Sequence, residues 1–276
     1  MEQKSINIHG HKIAIHQGQC QEGPVLFLLH ANSQNATLFS RQIQGELGRM
    51  WQVVAMDLPG HGASDPAGQP EVGYSLAGYR AIIRAVAQTL QPNPLIAVGH
   101  SLGGHLLMQV AEELPNLRGL LAFGSPPLAG PASFGEAFLP HPAAALMFQE
   151  TLTDADLDLW ARAQTHRVVN PEMMQCMREA MRLTDPRCRS HLIASLGAGE
   201  MRDEIAILRR LPVPVALLLG EQDPFVNADY CRNLDLPGLW RGAIQFLPDC
   251  GHSPHCESQA RFDALLSEFS RFCLAP

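Results

Sequence analysis

Short apolar runs alternate with stretches of helical periodicity along most of this chain, and this alternation limits its fold more than any other feature. The apolar runs are continuous, as in strands buried on both faces of a sheet, and they lie at 25–30, 51–58, 94–98, 117–123, 213–219 and 243–247. The helical stretches lie at 36–47, 75–90, 102–114, 227–234 and 254–273. Two alternating segments at 5–9 and 12–16 predict an opening hairpin. The pattern as a whole predicts an α/β fold with a mostly parallel central sheet flanked by helices.

The alternation stops between about 125 and 202. This segment is rich in proline and then mostly helical, with predicted helix starts at Thr153, at Pro171 and near Pro186. The alternation resumes after it. We therefore predict an α/β core formed by 1–125 and 203–276, with an inserted helical cap formed by 126–202.

The net charge and the first residues limit the kinds of partner that the chain is expected to have. Its 276 residues include 20 Lys and Arg against 27 Asp and Glu, a formal net charge of −7. Since there is no basic excess to neutralise a phosphate backbone, we expect no nucleic-acid partner. The chain begins without the apolar stretch of a secretory signal, and no segment approaches the roughly 20 apolar residues of a membrane-spanning helix. We expect a cytoplasmic protein with a small-molecule substrate and no membrane partner, and the formation of a homodimer stays open.

Cysteine and histidine usage gives no sign of a disulfide framework or a metal centre. The seven cysteines are odd in number and scattered, which favours reduced thiols. The twelve histidines include no HExxH pattern, and no paired CxxC spacing occurs. We therefore expect no metal site.

Residues 99–103, Gly-His-Ser-Leu-Gly, match the G-x-S-x-G pattern of a nucleophile elbow. They follow a predicted buried strand and precede a predicted helix, which is where an elbow belongs. The serine of an elbow sits on a strained turn, and glycines at 99 and 103 let the backbone pass close to its neighbours. The following helix directs free N–H groups and the positive end of its dipole at the site, where an oxyanion can be stabilised. This context predicts Ser101 as a nucleophile.

Further short motifs follow a fixed order along the chain. They are Leu-Leu-His-Ala-Asn at 28–32, Asp-Leu-Pro-Gly-His-Gly-Ala-Ser at 57–64, the elbow at 99–104, Gly-Glu-Gln-Asp-Pro at 220–224 and Gly-His-Ser at 251–253. Together they resemble the α/β-hydrolase fold superfamily, in its branch of capped esterases, lactonases, cofactor-free haloperoxidase-like enzymes and C–C bond hydrolases. The resemblance covers nearly the whole chain. It implies an α/β-hydrolase fold and an activity that needs no cofactor.

The resemblance also implies a catalytic triad and an oxyanion hole. Asp223 follows the strand after which this superfamily places the triad acid, and His252 lies in the loop from which an imidazole can reach both Ser101 and Asp223. By the same resemblance, Asn32 and Leu102 contribute main-chain N–H groups to the oxyanion hole. Ala31 departs from the usual His-Gly, and its methyl group is expected to narrow the acyl site. The Asn32 side chain either donates to substrate or satisfies groups of its own loop.

Other residues compete for these roles. Asp249 is close to His252 in sequence but is interpreted as a turn residue. His255 is interpreted as a solvated residue at a helix start. His30, His61 and His100 lie in motif loops, where we expect the first two to fix loops through ring-to-backbone bonds and His100 to pack sideways. None of these three is expected to be the base, which must come within hydrogen-bond reach of Ser101 with its ring free.

These predictions imply two-step acyl transfer, in which His252 takes the Ser101 proton and an acyl-enzyme is then hydrolysed. The apolar cap predicts a small or medium ester or lactone, with Phe134, Phe138 and Trp160 as substrate contacts beside Asn32. A C–C bond hydrolase acting on a ring-cleavage product or β-diketone uses the same triad, and a perhydrolase or haloperoxidase-like activity is a further alternative. A non-catalytic ligand receptor is the third class.

Overall fold

The computed structural model describes residues 1–167 and 169–275, and its centre is an eight-stranded sheet. The spatial order of the strands is β1-β2-β4-β3-β5-β6-β7-β8. β2 pairs antiparallel with β1 and with β4, and the pairs from β4 to β8 are parallel. The strands are β1 (Glu2–Ile8), β2 (His11–Gln17), β3 (Val25–Leu29), β4 (Gln52–Met56), β5 (Leu95–His100), β6 (Leu117–Phe123), β7 (Val215–Gly220) and β8 (Gln245–Leu247). The predicted mostly parallel sheet and opening hairpin are confirmed.

Helices cover both faces of the sheet. In chain order they are α1 (Ser40–Gln44), α2 (Glu46–Met50), α3 (Pro70–Gly73), α4 (Leu76–Thr89), α5 (Leu102–Val110), α6 (Phe134–Ala137), α7 (Pro142–Leu146), α8 (Asp154–Ala163), α9 (Pro171–Leu183), α10 (Arg187–Gly197), α11 (Glu204–Arg210), α12 (Ala228–Arg232), α13 (Pro254–Glu257) and α14 (Gln259–Leu274). Alternate residues of β3 point to opposite faces: Phe27 packs in a cluster with residues of α4 and α5, and Leu28 in a cluster with residues of α14.

Several helices differ from their predicted extent. The stretch at 36–47 forms a 3-10 turn, Ala36–Phe39, followed by α1 and α2. The last two separate at Gly45, where the backbone is extended rather than helical. The closing helix is likewise divided, at Ser258. The helix α11 was not predicted. Its seven residues are too few to show a clear 3.6-residue period.

The predicted helix starts at Thr153 and Pro171 agree with α8 and α9. Thr153 caps α8 through a capping box with Asp156, which explains why that start is visible in sequence. Within segment 126–202 the buried Arg189 guanidinium donates to the main-chain carbonyls of Gln149 and Glu150, and it contacts the rest of the chain by donating to the Ser33 hydroxyl at 3.4 Å. The division into core and cap at 125 and 203 stays a prediction. In the described residues no helix has the length and hydropathy required to cross a membrane.

Candidate active site

Ser101 lies on the sharp turn between β5 and α5, with φ 49° and ψ −115°. Such a conformation is strained for any residue with a side chain, and it is held by close packing of the flanking glycines. A Cβ atom at Gly99 would lie 2.5 Å from the nitrogen of Gly104, and one at Gly103 would lie 2.5 Å from the carbonyl oxygen of Leu29. The elbow therefore needs glycine at both positions, because the neighbouring atoms are main chain.

His252 and Asp223 form a buried hydrogen-bonded pair. His252 Nδ1 lies 2.8 Å from Asp223 Oδ2, and each side chain is 3% exposed. The other carboxylate oxygen accepts from the main-chain N–H groups of Phe225 and Val226, at 2.9 and 3.2 Å. Since the carboxylate accepts, Nδ1 carries the hydrogen and Nε2 presents its lone pair. The histidine therefore has the tautomer and orientation that a general base requires.

Ser101 and His252 line one cavity of about 190 Å³. Its walls are mainly leucine, methionine and phenylalanine side chains, and its polar lining residues are Asn32, Ser101, His105, Gln109 and His252. Among the described residues the Ser101 hydroxyl has no hydrogen bond to the imidazole. In ligand-free enzymes such contacts are often long and tighten only when substrate is bound. The structure thus brings the two side chains to a shared space.

Asn32 and Leu102 also line this cavity. Over the part of the chain that is described, neither main-chain N–H donates to a protein acceptor, so both remain available for an oxyanion. The Asn32 side chain donates to the carbonyl of Met147 at 2.9 Å and accepts from the Ser33 hydroxyl at 2.9 Å. The side chain thus bonds both to its own loop and to segment 126–202, and its contact with substrate stays a prediction. Ala31 is 3% exposed and is not among the residues lining the cavity, so its expected narrowing of the acyl site is not seen.

Comparison with known proteins identifies the family. The alpha/beta hydrolase family matches residues 26–264, a span that contains the elbow, Asp223 and His252. The chain belongs to the alpha/beta hydrolase family. This chain is similar to a crystal structure of the N-acyl homoserine lactonase AidH complexed with N-butanoyl homoserine. The TM-score is 0.93 and the sequence identity is 31%. The similarity covers 100% of this chain and 98% of AidH.

Two curated relatives differ in how much of their length is matched. An uncharacterised protein of Mycobacterium bovis is 34% identical over 110 residues, which cover 40% of this chain and only 30% of that protein. A 2-hydroxy-6-oxononadienedioate/2-hydroxy-6-oxononatrienedioate hydrolase of Burkholderia vietnamiensis is 26% identical over 97% of this chain and 95% of its own length. The family is therefore established, and the substrate has to be argued from the site.

Two histidines of this alpha/beta hydrolase, His30 and His61, stabilise loops. His30 accepts from the N–H of Leu58 through Nε2 and lies 2.8 Å from the Ala31 carbonyl through Nδ1, while His61 Nδ1 lies 3.0 Å from the Pro59 carbonyl. Both predicted loop-fixing roles are confirmed. Burial lowers the pKa of His61 to about 3.

His100 supports the loop that carries His252. Its Nε2 lies 2.8 Å from the His252 carbonyl oxygen, and its ring stacks on Phe123 with centroids 4.6 Å apart. Burial, followed by the nearby rings of His252 and His255, lowers the pKa of His100 well below its ordinary value. His100 is therefore a neutral packing residue, as predicted.

The interpretation of His255 as a solvated residue is wrong. The side chain is fully buried and packs against Phe39 and Phe123, with ring centroids 5.0 and 5.1 Å away. Burial lowers the pKa of His255 to about 3. The sequence rule failed here because the short helix α13 packs against α14 and the 3-10 turn Ala36–Phe39, and this packing buries its first three residues.

Asp249 lies apart from the buried pair. Its carboxylate forms an ion pair with Arg167 at 2.5 Å, and its side chain is 58% exposed. Its main chain has φ 57°, as expected of a turn residue. The turn interpretation therefore agrees with the structure, and Asp223 is the carboxylate that contacts His252.

The prediction that Trp160 contacts substrate is wrong. Its side chain is 1% exposed and packs within a cluster that includes Leu157 and Met177, and it is not among the residues lining the cavity. Trp160 stabilises segment 126–202 from inside. Phe134 and Phe138 do line the cavity, with their rings stacked at 5.2 Å, and they stay predicted substrate contacts.

Asp57 is a buried residue whose role the sequence analysis did not identify. Its carboxylate accepts from the N–H groups of Ala36 and Ala63, at 2.7 and 2.9 Å, and from His16 Nε2 at 3.0 Å. Burial works to raise the pKa of Asp57, but the hydrogen bond from His16 and the interactions with His30 hold it below its ordinary value. Asp57 thereby ties together the two loops that follow β3 and β4. A carboxylate directly after an apolar strand was the signal that could have revealed it.

Proposed function

We propose that this chain is a serine hydrolase that cleaves a small or medium carboxylic ester or lactone through an acyl-enzyme on Ser101. One observation carries the proposal: His252, which is hydrogen-bonded to Asp223, lines the same cavity as a serine held on a strained turn. Asn32 and Leu102 line the same cavity, and among the described residues their main-chain N–H groups donate to no protein acceptor. Nucleophile, base, orienting acid and oxyanion donors are the full set that acyl transfer requires.

The reaction proceeds in two steps. His252 Nε2 removes the proton from Ser101, and the hydroxyl oxygen attacks the substrate carbonyl carbon. The negative charge formed on the carbonyl oxygen is stabilised by the N–H groups of Asn32 and Leu102, and one such donor is commonly worth about 10²- to 10³-fold in rate. The imidazolium, stabilised by Asp223, then protonates the leaving alcohol oxygen. Water activated by His252 attacks the acyl-enzyme, and the carboxylic acid leaves with Ser101 restored.

A lactone is the favoured form of ester. AidH, which is named an N-acyl homoserine lactonase, is 31% identical to this chain over its whole length. The walls of the cavity also suit an apolar acyl chain, since leucine, methionine and phenylalanine side chains predominate there. We therefore place N-acyl homoserine lactones first among the substrates to be tried.

A C–C bond hydrolase is the second candidate, because the Burkholderia vietnamiensis hydrolase is similar over nearly the whole chain. The substrate named for that relative carries two carboxylates. The polar side chains that line the present cavity are the amides of Asn32 and Gln109, the Ser101 hydroxyl and the imidazoles of His105 and His252. None of them carries a fixed positive charge. Two carboxylates would be poorly compensated in such apolar surroundings. The cavity therefore favours a neutral ester or lactone.

The test compares Ser101→Ala with Ser190→Ala. The second variant removes a hydroxyl from α10 that donates to the Arg187 carbonyl and is not part of the cavity lining. We expect Ser101→Ala to lower kcat for p-nitrophenyl butyrate and for a γ-lactone by roughly 10⁴-fold or more, because the nucleophile is lost while the fold is kept. Ser190→Ala is expected to retain the rate of the unaltered protein.

A covalent probe provides an independent measurement. An organophosphonate should add once to the unaltered protein, on the peptide that contains Ser101, and should not add to Ser101→Ala. Wild-type turnover by Ser101→Ala would overturn the proposal. So would a protein with neither turnover nor adduct, which would instead point to a non-catalytic ligand receptor.

A further inference from the structure

A second histidine and carboxylate pair lies at the wall of the cavity, separate from His252 and Asp223. His105 is on α5, one turn after the elbow, and its main-chain N–H donates to the Ser101 carbonyl at 3.0 Å. Its ring lines the cavity, and the side chain is 12% exposed. Glu204 begins α11 and is fully buried, with Oε2 at 3.0 Å from His105 Nδ1. The proposed acyl-transfer mechanism uses neither residue.

Glu204 holds the ring in one orientation. Besides His105, its carboxylate accepts from Gln109 Nε2 at 2.7 Å and from the N–H of Leu128 at 3.0 Å. A buried carboxylate that accepts from several donors fixes them strongly, because each bond is charge-assisted. The bond to Glu204 occupies Nδ1. It leaves Nε2, on the opposite side of the ring, as the atom with which His105 meets a ligand.

His105 has apolar neighbours in the cavity. Leu128 and Phe138 line the cavity with His105, and the Phe138 ring lies 6.0 Å from the imidazole. Among the described residues, no protein group bonds to His105 Nε2. The neutral tautomer that donates from Nδ1 to Glu204 has its lone pair on Nε2, and this makes Nε2 a hydrogen-bond acceptor. An acceptor left unpaired in an apolar, ligand-filled site is costly, so a substrate that supplies a donor is preferred over one that does not.

We propose that His105, oriented by Glu204, is a specificity-determining residue that accepts a hydrogen bond from an amide N–H of the substrate. The substrate class is then an ester or lactone that carries an acylamino group next to its apolar chain, and plain alkyl esters are poorer substrates. This inference rests on the proposed serine hydrolase function and deepens it. It assigns His105 to substrate selection and leaves the bond-breaking steps to Ser101 and His252.

The experiment uses two γ-lactones that differ at one atom. The first carries a butanoylamino group on the carbon next to the lactone carbonyl, and in the second a CH2 replaces the N–H. p-Nitrophenyl butyrate, which has no hydrogen-bond donor, reports on the acyl-transfer machinery alone. For the unaltered protein we expect kcat/KM to be about 10- to 100-fold higher for the N–H lactone than for its CH2 analogue.

The matched variant is His105→Asn. The amide nitrogen of asparagine can take the place of Nδ1 and still donate to Glu204, while no atom replaces Nε2. We expect this variant to hydrolyse the two lactones with kcat/KM values within about twofold of each other, and its rate with p-nitrophenyl butyrate measures any general loss of activity. A role limited to holding α5 against α11 would lower all three rates together and leave the ratio between the lactones unchanged.

The outcomes separate this inference from the proposed function. Equal kcat/KM for the two lactones in the unaltered protein overturns the role of His105, even though p-nitrophenyl butyrate is hydrolysed. A wild-type preference that persists in His105→Asn overturns it as well. Should His105→Asn fail to fold, equal kcat/KM values for the two lactones in the unaltered protein would still overturn the proposal. Absence of hydrolysis of all three substrates by the unaltered protein contradicts the serine hydrolase function itself.

Discussion

Gly103→Ala tests the physical basis of the elbow. The position is the second residue of α5, where alanine would otherwise be preferred over glycine by about 1 kcal/mol of helix propensity. The packing opposes this preference. A Cβ atom at 103 would lie 2.5 Å from the Leu29 carbonyl oxygen and 2.6 Å from that of His30. The shorter separation is about 0.9 Å less than the 3.4 Å at which ordinary van der Waals contact begins.

The loss of stability expected for Gly103→Ala depends on how far the carbonyl oxygens of Leu29 and His30 can move. Leu29 ends β3, which is paired with strands on both sides and cannot move without disturbing the sheet. Overpacking of this kind commonly costs about 1–3 kcal/mol. With a main-chain clash we expect the upper end of that range, which leaves a net loss of about 2 kcal/mol after the gain in helix propensity. Displacement of the turn by nearly 1 Å should also lower kcat/KM by about 10²-fold, because Ser101 and the oxyanion donors lose their alignment.

The assays are urea unfolding and hydrolysis of p-nitrophenyl butyrate, with Gly197→Ala as the control. Gly197 ends α10, and a Cβ atom there would meet nothing within 4 Å. We expect the control to be neutral or stabilised by up to about 1 kcal/mol, with unchanged activity. If Gly103→Ala matched the unaltered protein in both stability and rate, the argument that close main-chain packing fixes the elbow would be refuted.

Two further predictions concern the buried acid and the buried histidines. Asp223→Asn should lower kcat about 10⁴-fold, because His252 loses the carboxylate that orients it. Asp249→Asn alters only an exposed ion pair and should leave kcat unchanged. Comparable losses in both variants would contradict the assignment of Asp223. Burial lowers the pKa of His61 and of His255 to about 3, so below pH 6.5 the unfolded chain binds protons that the folded chain does not, and stability falls as the pH falls. From pH 7 to pH 5 each histidine should remove about 2 kcal/mol from the free energy of unfolding, and equal urea midpoints at the two pH values would count against this.

Features that depend on neighbours in sequence were predicted well. The buried strands, the capped start of α8 and the elbow at Ser101 are all encoded within short segments, because strand period, capping chemistry and tight-turn glycines act locally. The order of the motifs was enough to establish the α/β-hydrolase fold, since successive parallel strands bring their carboxyl ends to one edge of a sheet. That edge is where Ser101 and Asp223 lie.

Features that depend on contacts between distant segments were not predictable in this way. Trp160 and Phe138 look alike as apolar residues of one helical segment, yet the first is packed within that segment and the second lines the cavity. His255 follows a rule for exposed helix starts, but tertiary packing buries it completely. Glu204 gains its importance from distant partners, among them two residues of α5 that lie nearly a hundred positions earlier in the chain.

The sequence by itself therefore determined the fold class, the position of the serine and the order of the groups around it. Only the tertiary structure decided which side chains reach the cavity, which histidines are neutral and buried, and which acceptor the Asn32 amide meets. The reason is that local geometry constrains the backbone within a few residues, whereas burial and hydrogen-bond pairing are settled by whichever distant surfaces pack together.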